Sequence, residues 1–114
     1  MNIAVNFRHM DPSPALQRYA TEKLDHVVGK YVSGQDVESH VTFEVEKIWH
    51  IANFTINING LTVKSVVKTQ DMHEAIDLAL EKVERQVRRY KDRIRNHKPD
   101  ARKRPLTEQV LSVA

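Results

Sequence analysis

Between Val37 and Thr69 apolar side chains recur mostly at alternate positions through three successive runs, and no other feature of the chain narrows its fold so far. In "VESHVTFEVEK" Val37, Val41, Phe43 and Val45 alternate with His40, Thr42, Glu44 and Glu46. In "IANFTININ" Ala52, Phe54, Ile56 and Ile58 alternate with Asn53, Thr55 and Asn57. A period of two is that of a strand with one face buried and one face in water. "IWH" reads as the turn between these runs, and Asn59-Gly60 as the hairpin into "LTVKSVVKT", because both of its residues tolerate positive φ. The adjacent Val66 and Val67 blur the register of this last run and leave room for a bulge. The segment is an antiparallel meander whose second face is polar.

A meander with one apolar face must be covered, and the flanking sequence supplies the cover. "NIAVNFR" alternates through Ile3, Val5 and Phe7, which predicts a first strand over 2–8. In the next stretch Ser13 can cap free N–H groups and Pro14 suits the first helical position, and Leu16, Ala20, Leu24, Val27 and Tyr31 then recur at helical spacing. After the meander, "DMHEAIDLALEKVERQVRRYKDRIRNH" predicts a long helix capped at Asp71 or a neighbour and ended before Pro99. The order is β-α-β-β-β-α, an α+β fold. Its four strands form one mixed sheet, with both helices packed on one face and the Thr, Asn and Glu face left in solvent. The first crossover should set strands one and two parallel. One domain is expected over residues 1–98, and residues 99–114, with two prolines and a basic knot, read as a flexible tail that is basic and then neutral.

The charge is concentrated. Residues 83–104 hold ten Lys or Arg against three acids in a chain whose net charge is only +3. On a helical wheel Ile76, Leu80, Val83, Val87, Tyr90 and Ile94 share the packing face. Lys82, Arg85, Arg89 and Arg93 follow one another at spacings of three, four and four as a cationic stripe to one side. Asp77, Glu81, Glu84 and Asp92 gather on the other flank with Arg88 and Arg95. A solvated helix laced by pairs such as Glu81 with Arg85 or Glu84 with Arg88 is the plain alternative, at about 0.2–0.5 kcal/mol per pair. The excess of cations over acids, and the fit of guanidinium forks to phosphate, favour a polyanion partner instead. On the first helix Tyr19, Lys23, His26 and Lys30 form a smaller flank. It would broaden the stripe if the helices packed with that flank beside it, while Lys23 and Lys30 could equally be stems lying over the edge of the core.

Several function classes lose their basis. With no cysteine there is no disulfide framework or thiolate nucleophile, and neither a secretory signal nor an apolar run of about 18 residues is present, so a cytoplasmic location is expected. The six histidines lack paired metal-ligand spacing, and no cofactor is expected. Asp71, Glu74 and Asp77 are better explained by the helix dipole than by acid–base chemistry, and no nucleophile elbow or phosphate-binding glycine loop occurs. Trp49 beside His50 falls in the expected turn, as a packing residue or a surface contact, with packing the preferred reading. A membrane is disfavoured because the apolar face of the basic helix is needed by the sheet. DNA is not expected, since no recognition-helix turn or zinc module is present. The sheet lacks the aromatic platform of the common single-strand RNA module. Phosphate contact with structured RNA survives this elimination.

The stretch from "VEKIWHIANFTINING" to "DMHEAIDLALEKVERQVRRYKDRIRNHK" resembles the bacterial hibernation-promoting factor and ribosome-associated inhibitor family, most specifically in "DMHEAID" followed by "ERQVRRYKDR". The likeness spans residues 1–98 and agrees with the element order above. It implies a non-enzymatic protein of stationary phase or stress that occupies the messenger and transfer RNA channel of the small ribosomal subunit, blocks translation and protects idle ribosomes. The family contacts ribosomal RNA through basic side chains of both helices. That carries over to Lys82, Arg85, Arg88 and Arg89, and on the first helix to Lys23; Arg93 joins by its place in the stripe and Lys30 by its place in the first-helix flank. His73 stands where relatives often have Tyr, and His26 where their first helix is more basic.

Long members of the family add a C-terminal dimerisation domain for which this chain is too short, and an acidic-tailed branch is not matched by residues 105–114, where Glu108 is the single acid. A short hibernation-promoting factor is therefore the expected type, with a separate ribosome modulation factor as a further partner, and a truncated long form stays open. The alternatives are a general binder of structured RNA and a small RNA-directed enzyme using a histidine.

Overall fold

The computed structural model describes residues 1–32 and 36–96, the last four of these by their backbone alone. The elements are β1 (Asn2–Arg8), α1 (Pro14–Gly29), β2 (Val37–Glu46), β3 (Trp49–Ile58), β4 (Leu61–Thr69) and α2 (Met72–Asn96). The strands lie in the order β1-β2-β3-β4, with β1 parallel to β2 and the other pairs antiparallel. The expected mixed sheet is therefore present, and β1 and β4 are its edges. Residues 97–114, including the expected tail, lie outside the described residues.

Local chemistry explains where the elements begin and turn. Ser13, in extended conformation, accepts from the Leu16 N–H at 3.2 Å, and Pro14 opens α1 without losing a donor that could be used. Asp71 caps α2 by accepting from the Glu74 N–H at 3.0 Å. Asn59 and Gly60 both take positive φ, 52° and 86°, between the paired residues Ile58 and Leu61, and the Gly60 N–H donates to the Asn57 side chain. The other hairpin turns one residue earlier than the sequence suggests. Glu46 pairs with Trp49, so the turn is Lys47-Ile48, with Lys47 at φ 60°, and Trp49 and His50 belong to β3. Pairing of β3 with β4 runs without interruption from His50–Thr69 to Ile58–Leu61, so Val66-Val67 hides no bulge. Val67 faces the core at 9% exposure while Val66 stands in solvent at 54%.

A single core fills the space between sheet and helices. Phe43 and Phe54, both fully buried on the two central strands, meet edge to face at 6.4 Å, and Phe7 lies 5.5 Å from Phe43. Ala20, Leu24 and Val28 of α1 and Ile76, Leu80, Val83 and Val87 of α2 close over them. Small residues set the approach of α2. Ala75 and Ala79 are fully buried, and the buried Ser65 hydroxyl donates to the Ala79 carbonyl at 2.9 Å, so a strand side chain bonds directly to helix backbone.

Candidate nucleic-acid interface

Core packing fixes the orientation of α2, and that decides where its charges point. With Ile76, Val83 and Val87 against the sheet, residues on one flank reach α1 and residues on the other lie over β4. Gln86 marks the β4 flank, since its side-chain amide donates to the Lys64 carbonyl at 2.9 Å. Lys82 and Arg89 are one turn before and one turn after Gln86, and Arg85 lies beside them. The stripe thus runs along the β4 side of the helix. Lys82, Arg85, Arg88 and Arg89 are all exposed. Among the described residues, ion pairs join His9 to Glu44, Lys23 to Asp77, Lys30 to Glu84 and Lys68 to Glu46, and none involves those four cations. The pairs Glu81–Arg85 and Glu84–Arg88 that a self-neutralised helix would use are not made. The Arg93 side chain lies outside the described residues.

The opposite flank of α2 is a seam with α1. Asp77 receives the Tyr19 hydroxyl and the Lys23 ammonium, each at 2.5 Å, and two turns later Glu84 receives the Lys30 ammonium at 2.8 Å and the Tyr31 hydroxyl at 2.9 Å. Lys23 on α1 and Lys30 at its C-cap, seven residues apart, meet carboxylates seven residues apart on α2, both spacings being about two helical turns. The His73 ring rests on Tyr19 at 4.9 Å. Two expectations change. Asp77 serves the seam rather than the helix dipole, and the first-helix flank does not broaden the stripe, because Lys23 and Lys30 turn toward the acidic side of α2 and end on its carboxylates. Arg88 stands apart from Lys82, Arg85 and Arg89, on the seam side, close enough to Glu84 and Lys30 for its charge to act on both.

These contacts shift the titration of the seam. Partial burial pushes the Asp77 carboxyl up, but Lys23 and Tyr19 together outweigh it and hold the group below its ordinary value. Glu84 is held low by Lys30 and then Tyr31. Lys23 and Lys30 are raised, chiefly by their bonds to Asp77 and Glu84, and Tyr19 is raised chiefly by its bond to Asp77. Depressed carboxylates contribute stability that is complete above their unfolded values and is lost as pH falls through the folded ones. Raised lysines and tyrosine contribute stability complete below their unfolded values and lost as pH rises through the folded ones. The seam should therefore add no pH dependence between about pH 5.5 and pH 9, and should fail below about pH 4. The double variant Asp77→Asn with Glu84→Gln, followed by urea midpoint against pH, should show a shallower acid limb than the parent. An unchanged limb would assign acid sensitivity to other carboxylates.

The structure also brings up residues that the helical wheel could not. Lys64 and Lys68 point away from the core on β4, to the face of the sheet opposite α2, and Lys68 lies over the Trp49 ring at 5.8 Å. Trp49 is a surface residue at 36% exposure, not a packing residue. The polar run of β4 was readable by alternation, but its place at the sheet edge beneath α2 was not. Among the described residues no group of three His, Cys, Asp or Glu is placed to hold a metal, and no helix is long and apolar enough to cross a membrane.

Comparison with known proteins gives consistent matches. A family model described as Sigma 54 modulation protein / S30EA ribosomal protein matches residues 3–95. The ribosome hibernation promoting factor of Salmonella typhimurium is 29% identical over 97 residues, which cover 85% of this chain and all of that protein. Among solved structures, the N-terminal domain of Thermus thermophilus Protein Y is similar with a TM-score of 0.72 at 23% identity, over 79% of this chain and 99% of that one, a likeness of fold. A ribosomal subunit interface protein from Coxiella burnetii is similar with a TM-score of 0.69 at 25% identity, over 81% of this chain and 99% of that one.

Proposed function

This chain belongs to the Sigma 54 modulation protein / S30EA ribosomal protein family, and from that premise we propose that it is a ribosome hibernation factor acting on the small ribosomal subunit. In this reading it lodges in the decoding region, in the channel used by messenger and transfer RNA. It thereby inhibits translation and protects idle ribosomes in stationary phase or stress, in the cytoplasm. Binding suffices for this outcome, because a folded domain held in the channel excludes the RNAs that must pass through it. No catalytic step is needed. A separate ribosome modulation factor would be the partner that pairs such ribosomes.

The observation that supports this reading is the one-sided stripe of Lys82, Arg85 and Arg89, exposed and without carboxylate partners among the described residues. Spacings of three and four residues set these cations about 4.5 and 6 Å apart along the helix. Guanidinium groups so arrayed can each take a phosphate oxygen pair without first leaving a salt bridge. Arg88 adds a further cation toward the seam. Lys23 and Lys30 would contribute to RNA contact only by sharing their charge with the carboxylates they already hold.

Sedimentation with separated ribosomal subunits at graded salt tests the proposal, together with a translation assay. Three or four phosphate contacts predict a slope of log affinity on log salt near −3, so that a rise from 50 to 200 mM weakens binding by roughly 50-fold. Selective, salt-sensitive cosedimentation with the small subunit and inhibition of translation are expected. Equal binding to naked duplex RNA, or to the large subunit, would overturn it.

A further inference from the structure

We infer that the cationic surface of α2 continues around the β4 edge of the sheet and ends at Trp49, so that an unpaired RNA strand leaving the stripe crosses Lys64 and Lys68 and stacks one base on the indole. This rests on the reading of the α2 stripe as an RNA site and extends it to a second face of the molecule.

The continuity is structural. β4 is an edge strand, and the Gln86 amide bonds to the Lys64 carbonyl at 2.9 Å, tying the flank that carries Lys82, Arg85 and Arg89 to that edge. Register then decides what the edge displays. Val63, Ser65 and Val67 are buried, so Thr62, Lys64, Val66 and Lys68 point to the open face of the sheet. β4 contains no acidic residue. Among the described residues the one carboxylate paired with this strand is Glu46, whose contact with Lys68 is loose at 3.9 Å, with both side chains more than half exposed. Lys68 is therefore free to exchange that partner for a phosphate.

The aromatic end of the path has the properties of a stacking site. Trp49 shares the open face with Ile51, which pairs with Lys68, and with Val66, which pairs with Asn53. Ile48 at the hairpin tip is 60% exposed and Trp49 36%, so part of the indole is open to solvent. Lys68 is already placed over the ring at 5.8 Å, as a cation that could hold the phosphate of a stacked nucleotide. Asn53, Thr55 and Asn57 stand in the adjacent row on β3, presenting donors and acceptors of the kind that meet base edges. A duplex has no splayed base to offer a single aromatic, so the occupant is a strand that is unpaired at this point. The run of cations leading to the indole favours RNA over an apolar protein partner.

The sequence contains one tryptophan, so its fluorescence reports this site alone. Binding should be followed with a short unstructured oligoribonucleotide and with isolated small subunits. Five proteins are compared: the parent, Lys82→Glu/Arg85→Glu/Arg89→Glu, Lys64→Glu/Lys68→Glu, and Trp49→Ala with Trp49→Phe as its aromatic control. Circular dichroism confirms that each is folded. The expected results are quenching of the parent in step with oligoribonucleotide binding, about tenfold weaker binding for Trp49→Ala and for the β4 double reversal, and near-parental binding for Trp49→Phe. If the α2 reversal abolishes binding to subunits while the β4 and Trp49 variants bind as the parent does, this inference falls and the proposed function stands. Quenching by subunits but not by the oligoribonucleotide would assign the contact to a ribosomal protein and overturn the RNA occupant. Failure of the parent to bind subunits would remove the proposed function and this inference together.

Discussion

Reversing Lys82, Arg85 and Arg89 to glutamate should remove the protein from small-subunit fractions and leave its unfolding transition where it was. All three side chains are exposed and make no ion pair among the described residues, so the fold loses no packing and no carboxylate is orphaned by the change. Exposed substitutions of this kind usually alter stability by within about 0.5 kcal/mol. The effect on binding is of another order. Each lost phosphate contact costs about 1 kcal/mol or more, and three together exceed the loss of about two decades in affinity that 2.8 kcal/mol represents. Reversal adds repulsion to that loss, and the salt slope should fall toward zero as the contacts disappear. Cosedimentation at low salt, paired with urea unfolding of the same variant, measures both halves. A folded triple variant that still cosediments normally would show that the stripe is not the binding surface.

The contrast with the seam lysines shows what a sequence can and cannot disclose about such a surface. Alternation on the strands and the spacing of Leu16, Ala20 and Leu24 or Ile76, Leu80 and Val83 are determined by the chain itself, so the element order and the buried faces were legible. The outward direction of Lys82, Arg85 and Arg89 followed from the same wheel. The wheel gives angles about one axis, however, and says nothing of the neighbour at each angle. The wheel leaves Lys23 and Lys30 either extending the stripe or lying as stems over the edge of the core, and only packing sets them against Asp77 and Glu84, fifty-four residues away in each case. Alternation alone makes Lys64 and Lys68 the ordinary polar side of a strand, and only the strand order makes β4 an edge, with α2 packed on its other face. The turn was misplaced for a more local reason. "IWH" holds an aromatic and an imidazole, which continue a strand as readily as they interrupt one, and the positive φ falls on Lys47, a residue type with no special preference for it.

Replacing Phe54 with alanine should destabilise the domain more than any surface change considered above. Phe54 is fully buried on β3, one of the two central strands, where it pairs in register with Val41 on one side and Ser65 on the other. Its ring meets Phe43 at 6.4 Å, and Phe43 in turn carries Phe7 of β1. Truncation removes contacts from a position held on both sides by strand pairing, so the backbone has little freedom to close the cavity. Losses of about 3–5 kcal/mol are typical of such changes, against a total stability of about 5–15 kcal/mol for a domain. At about 4–8 °C per kcal/mol for a domain of this size, Tm should fall by more than about 12 °C. Urea unfolding should show a lower midpoint with an unchanged slope, since the surface exposed on unfolding is nearly the same. Val66→Ala, on the open face of the adjacent strand, provides the comparison and should move Tm by only a few degrees. A Phe54→Ala midpoint within error of the parent would mean that the two central strands do not carry the core, and would undo the packing on which the direction of the α2 stripe depends.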